Sequence, residues 1–201
     1  MSSRELILER VRRNQPARRE LPTLPTFDRP LADPLAAFGA ALARMGGAMA
    51  EAPAGASLDE FIRTLFPQAG VICSAAAEVA GTRRIETVRH PAELDDVDVG
   101  VVRAAFGVAE TGSVWLSENE YRVNAIGFLP QHLVVLLDPA SIVPNLHHAY
   151  RDRRFFDARY AVLMSGPSAT ADIEGVLIRG AQGVRSFTVI PVAAHATSKT
   201  N

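Results

Sequence analysis

The sequence predicts an α/β domain built on a mostly parallel sheet with helices on both faces. Three observations carry that expectation. After residue 57, short apolar runs alternate with helical patterns, the order that parallel strands and their crossover connections require. Leu133-Val134-Val135-Leu136-Leu137 is apolar at every position, as a central parallel strand covered on both sides must be. A chain of 201 residues that is 48% hydrophobic and 21% charged also has apolar material for a sizeable core, in the range of soluble globular proteins.

Taken in order, residues 3–13 form a short amphipathic helix, with Leu6, Ile7 and Val11 set against Arg4, Arg10, Arg12 and Arg13. Residues 15–34 hold Pro16, Pro22, Pro25, Pro30 and Pro34 and therefore stay extended without regular hydrogen bonding. The stretch reads either as an arm laid over the domain or a partner, or as a disordered tail. Leu35–Met49 is alanine-rich and helical, with Leu35, Phe38, Leu42 and Met45 on one face. Ser57-Leu58-Asp59-Glu60 has capping-box spacing and opens a helix through Phe66.

Val71–Ser74 and Arg84–Val88 read as strands, with a helical turn at Pro91–Leu94 and a further strand over Val97–Arg103. Phe106–Leu116 places two hydrophobic pieces around a small polar turn. Ser141–Arg151 is expected to be helical, Tyr160–Met164 a buried strand and Phe187–Val192 the last strand. Between the last two, a Gly166-Pro167 turn leads into a predicted helix carrying Ile173, Val176, Leu177 and Ile178 and closed by Gly180. The domain division is 1–56 as an N-terminal helical and proline-rich extension, 57–193 as the α/β domain and 194–201 as a frayed tail.

Composition narrows the function. A formal net charge of −1 gives no footprint for nucleic acid or an anionic membrane. Cys73 stands alone, which excludes an intramolecular disulfide and a multi-thiolate zinc or iron–sulfur site within the chain. Its neighbours make it a small core residue rather than a nucleophile. The arginine-rich start lacks the apolar centre of a secretory signal, and the run Leu133–Leu137 is too short to span a bilayer. A cytoplasmic protein is expected. The phosphate loop, the dinucleotide fingerprint and the HExxH zinc motif are absent, and His147 and His148 have no acidic partner at ligand spacing, so no metal site is expected.

Three loops carry candidate chemistry. In Ala109-Glu110-Thr111-Gly112 a carboxylate at a sharp turn must be solvated or paired. Glu110 there reads as a general base, a nucleophile or an acceptor for a substrate hydroxyl, and equally as a solvated turn residue. His132, ahead of the strongest strand, either closes over a site or pairs locally. Asn145 faces either a cleft or solvent. In Ser165–Glu174, Ser168 and Thr170 offer hydroxyls beside the Gly166 turn, and the predicted helix start offers backbone N–H groups. That chemistry suits a small carboxylate, a phosphate or a phosphorylated cofactor. It equally suits plain capping by Ser168 or Thr170, with Asp172 and Glu174 in the positive first turn. Asp172 itself caps, pairs with an arginine or accepts a ligand hydroxyl.

Ala109–Gly112, Leu129–Val135, Ile142–Pro144 and above all Ser165–Glu174 resemble the lactate utilization protein C family, whose shared unit is the LUD domain. The resemblance runs from about Val97 to Val192. It implies the three-layer α/β fold shared with ribose-5-phosphate isomerase, glucosamine-6-phosphate deaminase, CoA transferases and 5-formyltetrahydrofolate cyclo-ligase. It also implies a non-redox subunit acting beside two iron–sulfur proteins in the oxidation of L-lactate to pyruvate. The clusters then sit on the partners and no cofactor on this chain. The candidate ligand or partner contacts are Thr111, Gly112, His132, Gly166, Ser168, Thr170, Asp172 and Gln182, with Glu110 as the candidate catalytic group. The alternative is a free-standing enzyme like a CoA transferase or 5-formyltetrahydrofolate cyclo-ligase that uses Glu110; a third reading is a structural scaffold. One departure stands out: where the family often has Gly-x-His-Gly, this chain has Gly180-Ala181-Gln182-Gly183, and glutamine can orient a ligand but cannot carry a proton near neutral pH.

Overall fold

The structure, a computed structural model, describes residues 2–171 and 175–193. In chain order the first elements are α1 (Ser3–Arg13), α2 (Pro34–Arg44), β1 (Ala48–Met49), α3 (Leu58–Leu65), β2 (Ile72–Ser74), β3 (Arg83–Arg84) and β4 (Val99–Arg103). Next come β5 (Phe106–Val108), β6 (Ser113–Ser117), α4 (Glu118–Tyr121), β7 (His132–Leu137), β8 (Ile142–Val143), α5 (Leu146–Ala149) and α6 (Arg154–Asp157). The last are β9 (Ala161–Met164), β10 (Ala169–Thr170), β11 (Ile178–Arg179) and β12 (Ser186–Pro191).

The central sheet runs β1-β12-β7-β4-β2-β3, and every pairing in it is parallel. β7 lies in the middle, and its residues Leu133–Leu137 are all fully buried. Each such side chain contributes about 1.5–3 kcal/mol of burial, which makes this strand the anchor of the fold. One face of the sheet, with Val99, Val101, Val134, Leu136 and Ile190, packs on Ile62 of α3. The other, with Leu133, Val135, Leu137, Phe187 and Val189, packs on Phe38 and Leu42 of α2. Helices thus lie on both faces of a mostly parallel sheet.

The α2 face is shared with a second sheet, ordered β8-β5-β6-β9, which inserts Val114 and Leu116 into the same core. Its far side, with Phe106 and Trp115, is covered by Ala149 of α5 and Phe155 of α6. β5 and β8 run parallel, whereas β6 is antiparallel to both β5 and β9.

Several elements differ from the sequence-based expectation, each because longer-range pairing outweighs local pattern. The predicted helix Leu35–Met49 stops at Arg44: Gly46 takes φ +87°, and Ala48–Met49 pairs with Thr188–Val189. The α/β unit therefore takes in α2 and β1, both upstream of residue 57. Ser57 stands at the N-cap without a side-chain bond, so the capping box does not form; the Asp59 carboxylate instead accepts the amides of Ala80 (3.1 Å) and Gly81 (2.8 Å). Only Arg83–Arg84 joins the sheet, and Ile85–Thr87 curls into a 3₁₀ turn. The predicted helix Ser141–Arg151 is reduced to Leu146–Ala149, because β-branched Ile142–Val143 pairs with Gly107–Val108 and Pro144 then has no amide to donate. Tyr160–Met164 contributes a half-buried edge strand rather than a buried one.

The largest difference lies after Gly166. Val176 and Leu177 are exposed, and Ile178–Arg179 pairs antiparallel with Ala169–Thr170. The described residues form a two-stranded hairpin where a strand–turn–helix was expected, so a helix N-terminus is not part of the described site. Asp172, Ile173 and Glu174, like the expected tail from residue 194, lie outside the described residues.

Candidate functional site

β5 and β8 end side by side, and the chain leaving β5 stays pinned to the chain leaving β8. Ala109 N donates to Val143 O (2.9 Å) and Glu110 N to Pro144 O (3.1 Å), while Gly112 N donates back to Val108 O (2.9 Å) to close the turn. The glycine is required there. Its φ is +65°, and a β-carbon would stand 2.2 Å from Leu42 N in α2. Gly166 meets α2 in the same way, with φ +73° and a would-be β-carbon 2.5 Å from Met45 O. Ser165 Oγ ties the two turns together by donating to Thr111 O (3.0 Å), and Ser113 Oγ donates to Thr111 Oγ1 (2.8 Å). Thr111, Gly112 and Gly166 thus sit at one end of the strands of the second sheet and seat it against α2 and its C-cap.

Glu110 is the exposed member of this turn, and its Oε2 accepts the amide of Leu146 (3.2 Å). It lines a groove of about 770 Å³ that runs between α2 and the proline-rich arm. Arg44 of α2, His147 of α5 and Arg29 of the arm line the same groove. Asn145, which faces this groove, holds the arm down: its buried carboxamide donates from Nδ2 to Thr26 O (2.8 Å) and accepts the amide of His148 (3.1 Å) at Oδ1. Two further contacts secure the arm. His148 Nε2 lies 2.5 Å from Asp28 Oδ1, and the Phe27 ring meets His147 edge-on at 4.7 Å. Hydrogen bonds from Thr26 and then His148 hold the Asp28 carboxyl below its ordinary range. Of the two readings of the arm, the stretch at Thr26–Asp28 is laid over the domain.

His132 is elsewhere. It begins β7, opposite Ser186 and Val99 at the amino-terminal end of the parallel sheet. Its Nδ1 shares a hydrogen bond with Ser186 Oγ (2.7 Å), and its ring lies 4.8 Å from that of Phe66. Burial, and then the charge of Arg185, push its pKa below the ordinary histidine value, so the ring is neutral near pH 7. It lines a recess of about 280 Å³ with Gln131, Arg185 and Asp98. The Asp98 carboxylate is occupied there by the amides of Gly70 (2.8 Å) and Val71 (2.9 Å).

Ser168, Thr170 and Gln182 belong to the hairpin region. Ser168 N donates to Val184 O (3.0 Å), and its hydroxyl donates to the backbone carbonyl of Gln182, closing the loop that Gln182 exposes to solvent. Thr170 pairs with Ile178 across the hairpin. The fold therefore gathers Glu110, Thr111, Gly112 and Gly166 about one turn, while His132 lines a different recess and Ser168, two residues beyond Gly166, is bonded to Val184 and Gln182. Arg44 and the arm's Arg29 belong to no motif, so nothing in the sequence singles them out for this groove. Among the described residues no group of three or more His, Cys, Asp or Glu side chains could hold a metal ion. No helix among them is long and apolar enough to cross a membrane. Cys73 lies inside the parallel sheet, where burial raises its thiol to about 11.

Fold and site together define an α/β domain with an open, charged groove at a strand-end turn. The sequence model of the LUD domain matches residues 83–192, more than half of the chain, and the chain belongs to the LUD domain family. It is 26% identical over 153 residues to an uncharacterised protein of Neisseria meningitidis serogroup B, covering 71% of this chain and 64% of that protein. It is 31% identical over 96 residues to lactate utilization protein C of Anoxybacillus flavithermus, covering 47% of this chain and 44% of that protein. It is 30% identical over 98 residues to the uncharacterised protein YkgG of Escherichia coli, at 45% and 42% coverage. The chain thus spans less than two thirds of the length of these curated relatives. Its fold matches the 1.70 Å crystal structure of a DUF162 family protein from Deinococcus radiodurans, with a TM-score of 0.59 at 19% identity over 80% of this chain and 96% of the other.

Proposed function

We propose that this chain acts in lactate utilization as a non-redox subunit, and that the Glu110 groove is where it engages a small anion or a partner element. The observation that carries the reading is the similarity to proteins named lactate utilization protein C, together with the family match over residues 83–192, which contains the Glu110 turn. The groove's chemistry supports it: guanidinium groups of Arg44 and Arg29 suit an anion, and Glu110 suits a hydroxyl or amide donor. In this reading electron transfer belongs to iron–sulfur partner proteins, in keeping with a single, buried Cys73.

The test is growth on L-lactate as sole carbon source after deletion of the gene, with complementation by wild type, Glu110→Gln and Arg44→Glu. Growth is expected to fail on deletion, to return with wild type and to stay poor with either variant. Undiminished growth of the deletion strain, with no paralogue present, would remove the lactate role.

A second reading has one observation in its favour: the Glu110 carboxylate is exposed, as a nucleophile must be. In that reading Glu110 attacks an acyl thioester, an acyl–glutamyl anhydride forms and the thiolate leaves. Hydroxylamine trapping after incubation with an acyl-CoA decides between the two, since an unmodified Glu110 removes the covalent version.

A further inference from the structure

Among the described residues, α1 is a finished helix with no buried side chain. Both halves of its capping box are made: Ser2 Oγ accepts the Glu5 amide (3.3 Å) and Glu5 Oε2 accepts the Ser2 amide (2.6 Å). Glu9 pairs with Arg13 one turn on (3.1 Å). None of its residues is buried, and Ile7 (62%), Val11 (53%), Leu6 (43%) and Leu8 (40%) all stand open to water. A helix of 11 residues is marginal in water by itself, and its stability normally comes from a packed face. Ile7, Leu8 and Val11 share one face by their i, i+3 and i, i+4 spacing, and the 100° step per residue sets Arg10 and Arg12 on either side of them.

Charge says what kind of surface fits. Glu5 is engaged in the capping box and Glu9 in the Arg13 pair. Among the described residues no ion pair involves Arg4, Arg10 or Arg12. The exposed stripe is thus apolar over Ile7–Val11, with Arg10 and Arg12 at its rims and Arg4 on the same face at its amino-terminal end. Its tether is fixed at the root, where Asn145 holds Thr26 and His148 holds Asp28. Residues 14–25 then leave α1 a reach of roughly 37 Å, at about 3.1 Å per extended residue.

We infer that α1 is a docking helix whose Ile7–Val11 stripe seats in an apolar groove edged by carboxylates on a partner protein. Resting on the lactate-utilization reading above, that partner is one of its iron–sulfur proteins. A lipid surface fits less well: α1 has no aromatic residue, and two of its polar positions are glutamates. Symmetric pairing with a second copy would set the same arginines against each other.

The experiment is co-expression of the full chain with the two iron–sulfur proteins, carrying a photoreactive benzoylphenylalanine at position 7. The expected result is a crosslink from position 7 to an iron–sulfur protein, mapped beside aspartates or glutamates. It should fade as salt rises from about 0.05 to about 0.5 M. Copurification should fall at least tenfold in an Ile7→Asp/Val11→Asp variant and in an Arg10→Glu/Arg12→Glu variant. Because α1 contributes nothing to the core, both variants should keep the wild-type thermal midpoint, which separates lost docking from lost folding. If the iron–sulfur proteins copurify equally with wild type and both variants, the docking role is overturned and the lactate reading stands. If they copurify with neither, both fall. A crosslink to a second copy, or binding of the wild type but not the variants to anionic phospholipid vesicles, overturns the inference in favour of that partner.

Discussion

Glu110 and His132 are both polar side chains at strand ends, and the fold treats them oppositely. Glu110 is exposed, accepts one backbone amide and shares an open groove with Arg44 and Arg29. His132 is half-buried, bonded to Ser186, set against Phe66 and kept neutral by burial and by Arg185. A side chain so engaged contributes to holding β7 and β12 in register, whereas one left in a groove is available to a ligand. The same contrast divides the Glu110 turn itself. Gly112 is present because α2 leaves no space for a β-carbon, while Glu110, two residues earlier, is exposed and accepts the Leu146 amide.

Breaking the packing half of that comparison should have the largest effect. Gly112→Val must place a β-branched side chain at φ +65° and push Leu42 backbone that cannot yield. A loss of about 3–5 kcal/mol is expected in chemical denaturation. A wild-type midpoint for this variant would show that the turn is not seated on α2 as described.

Next in size is His132→Ala, which removes a hydrogen bond and an aromatic contact and should cost about 1–2 kcal/mol. The pH dependence has a definite sign. Because the folded-state pKa lies below the ordinary value, the unfolded chain takes up the proton first as pH falls through about 6.5. The wild type should therefore lose stability on acidification below that point, and His132→Gln should flatten the slope. An unchanged slope between about pH 5 and 6.5 would mean that His132 titrates alike in both states.

Glu110→Gln should leave stability within about 0.5 kcal/mol of wild type while abolishing function in complementation. A stability loss matching that of His132→Ala would erase the distinction between the two sites. The smallest effect on stability belongs to Asp28→Asn on the arm. The Asp28 carboxyl is held below its ordinary range, so its contribution is present above that range and fades as pH falls through it. The expected readout is faster hydrogen exchange over residues 24–31 with an unmoved thermal midpoint. Unchanged exchange would show that Asn145 and the Phe27–His147 contact secure the arm without Asp28.

Much of the fold was legible because it is written in short windows. The helix Ser3–Arg13, the strand around Leu133–Leu137 and the paired pieces on either side of Glu110 each follow from a local period or an unbroken apolar run. The misread elements share a cause. Ala48–Met49, Ile142–Val143 and Ile178–Arg179 are too short to declare themselves, and each becomes strand only because a partner strand is beside it. The site divides in the same way. Glu110 could be singled out because a carboxylate at a tight turn has no packing role, and the LUD resemblance could be recognised from Ala109–Gly112, Leu129–Val135, Ile142–Pro144 and above all Ser165–Glu174. That Arg44 shares its groove, that Gly112 and Gly166 rest on α2, and that Asn145 reaches Thr26 across 119 residues depend on contacts between segments remote in sequence. By itself the sequence determined the class of fold, the family and the turn that carries the carboxylate, since periodicity and residue type act locally. Only the tertiary structure decided which polar residues share a cavity, because that is settled by long-range packing and hydrogen bonding that no local window contains.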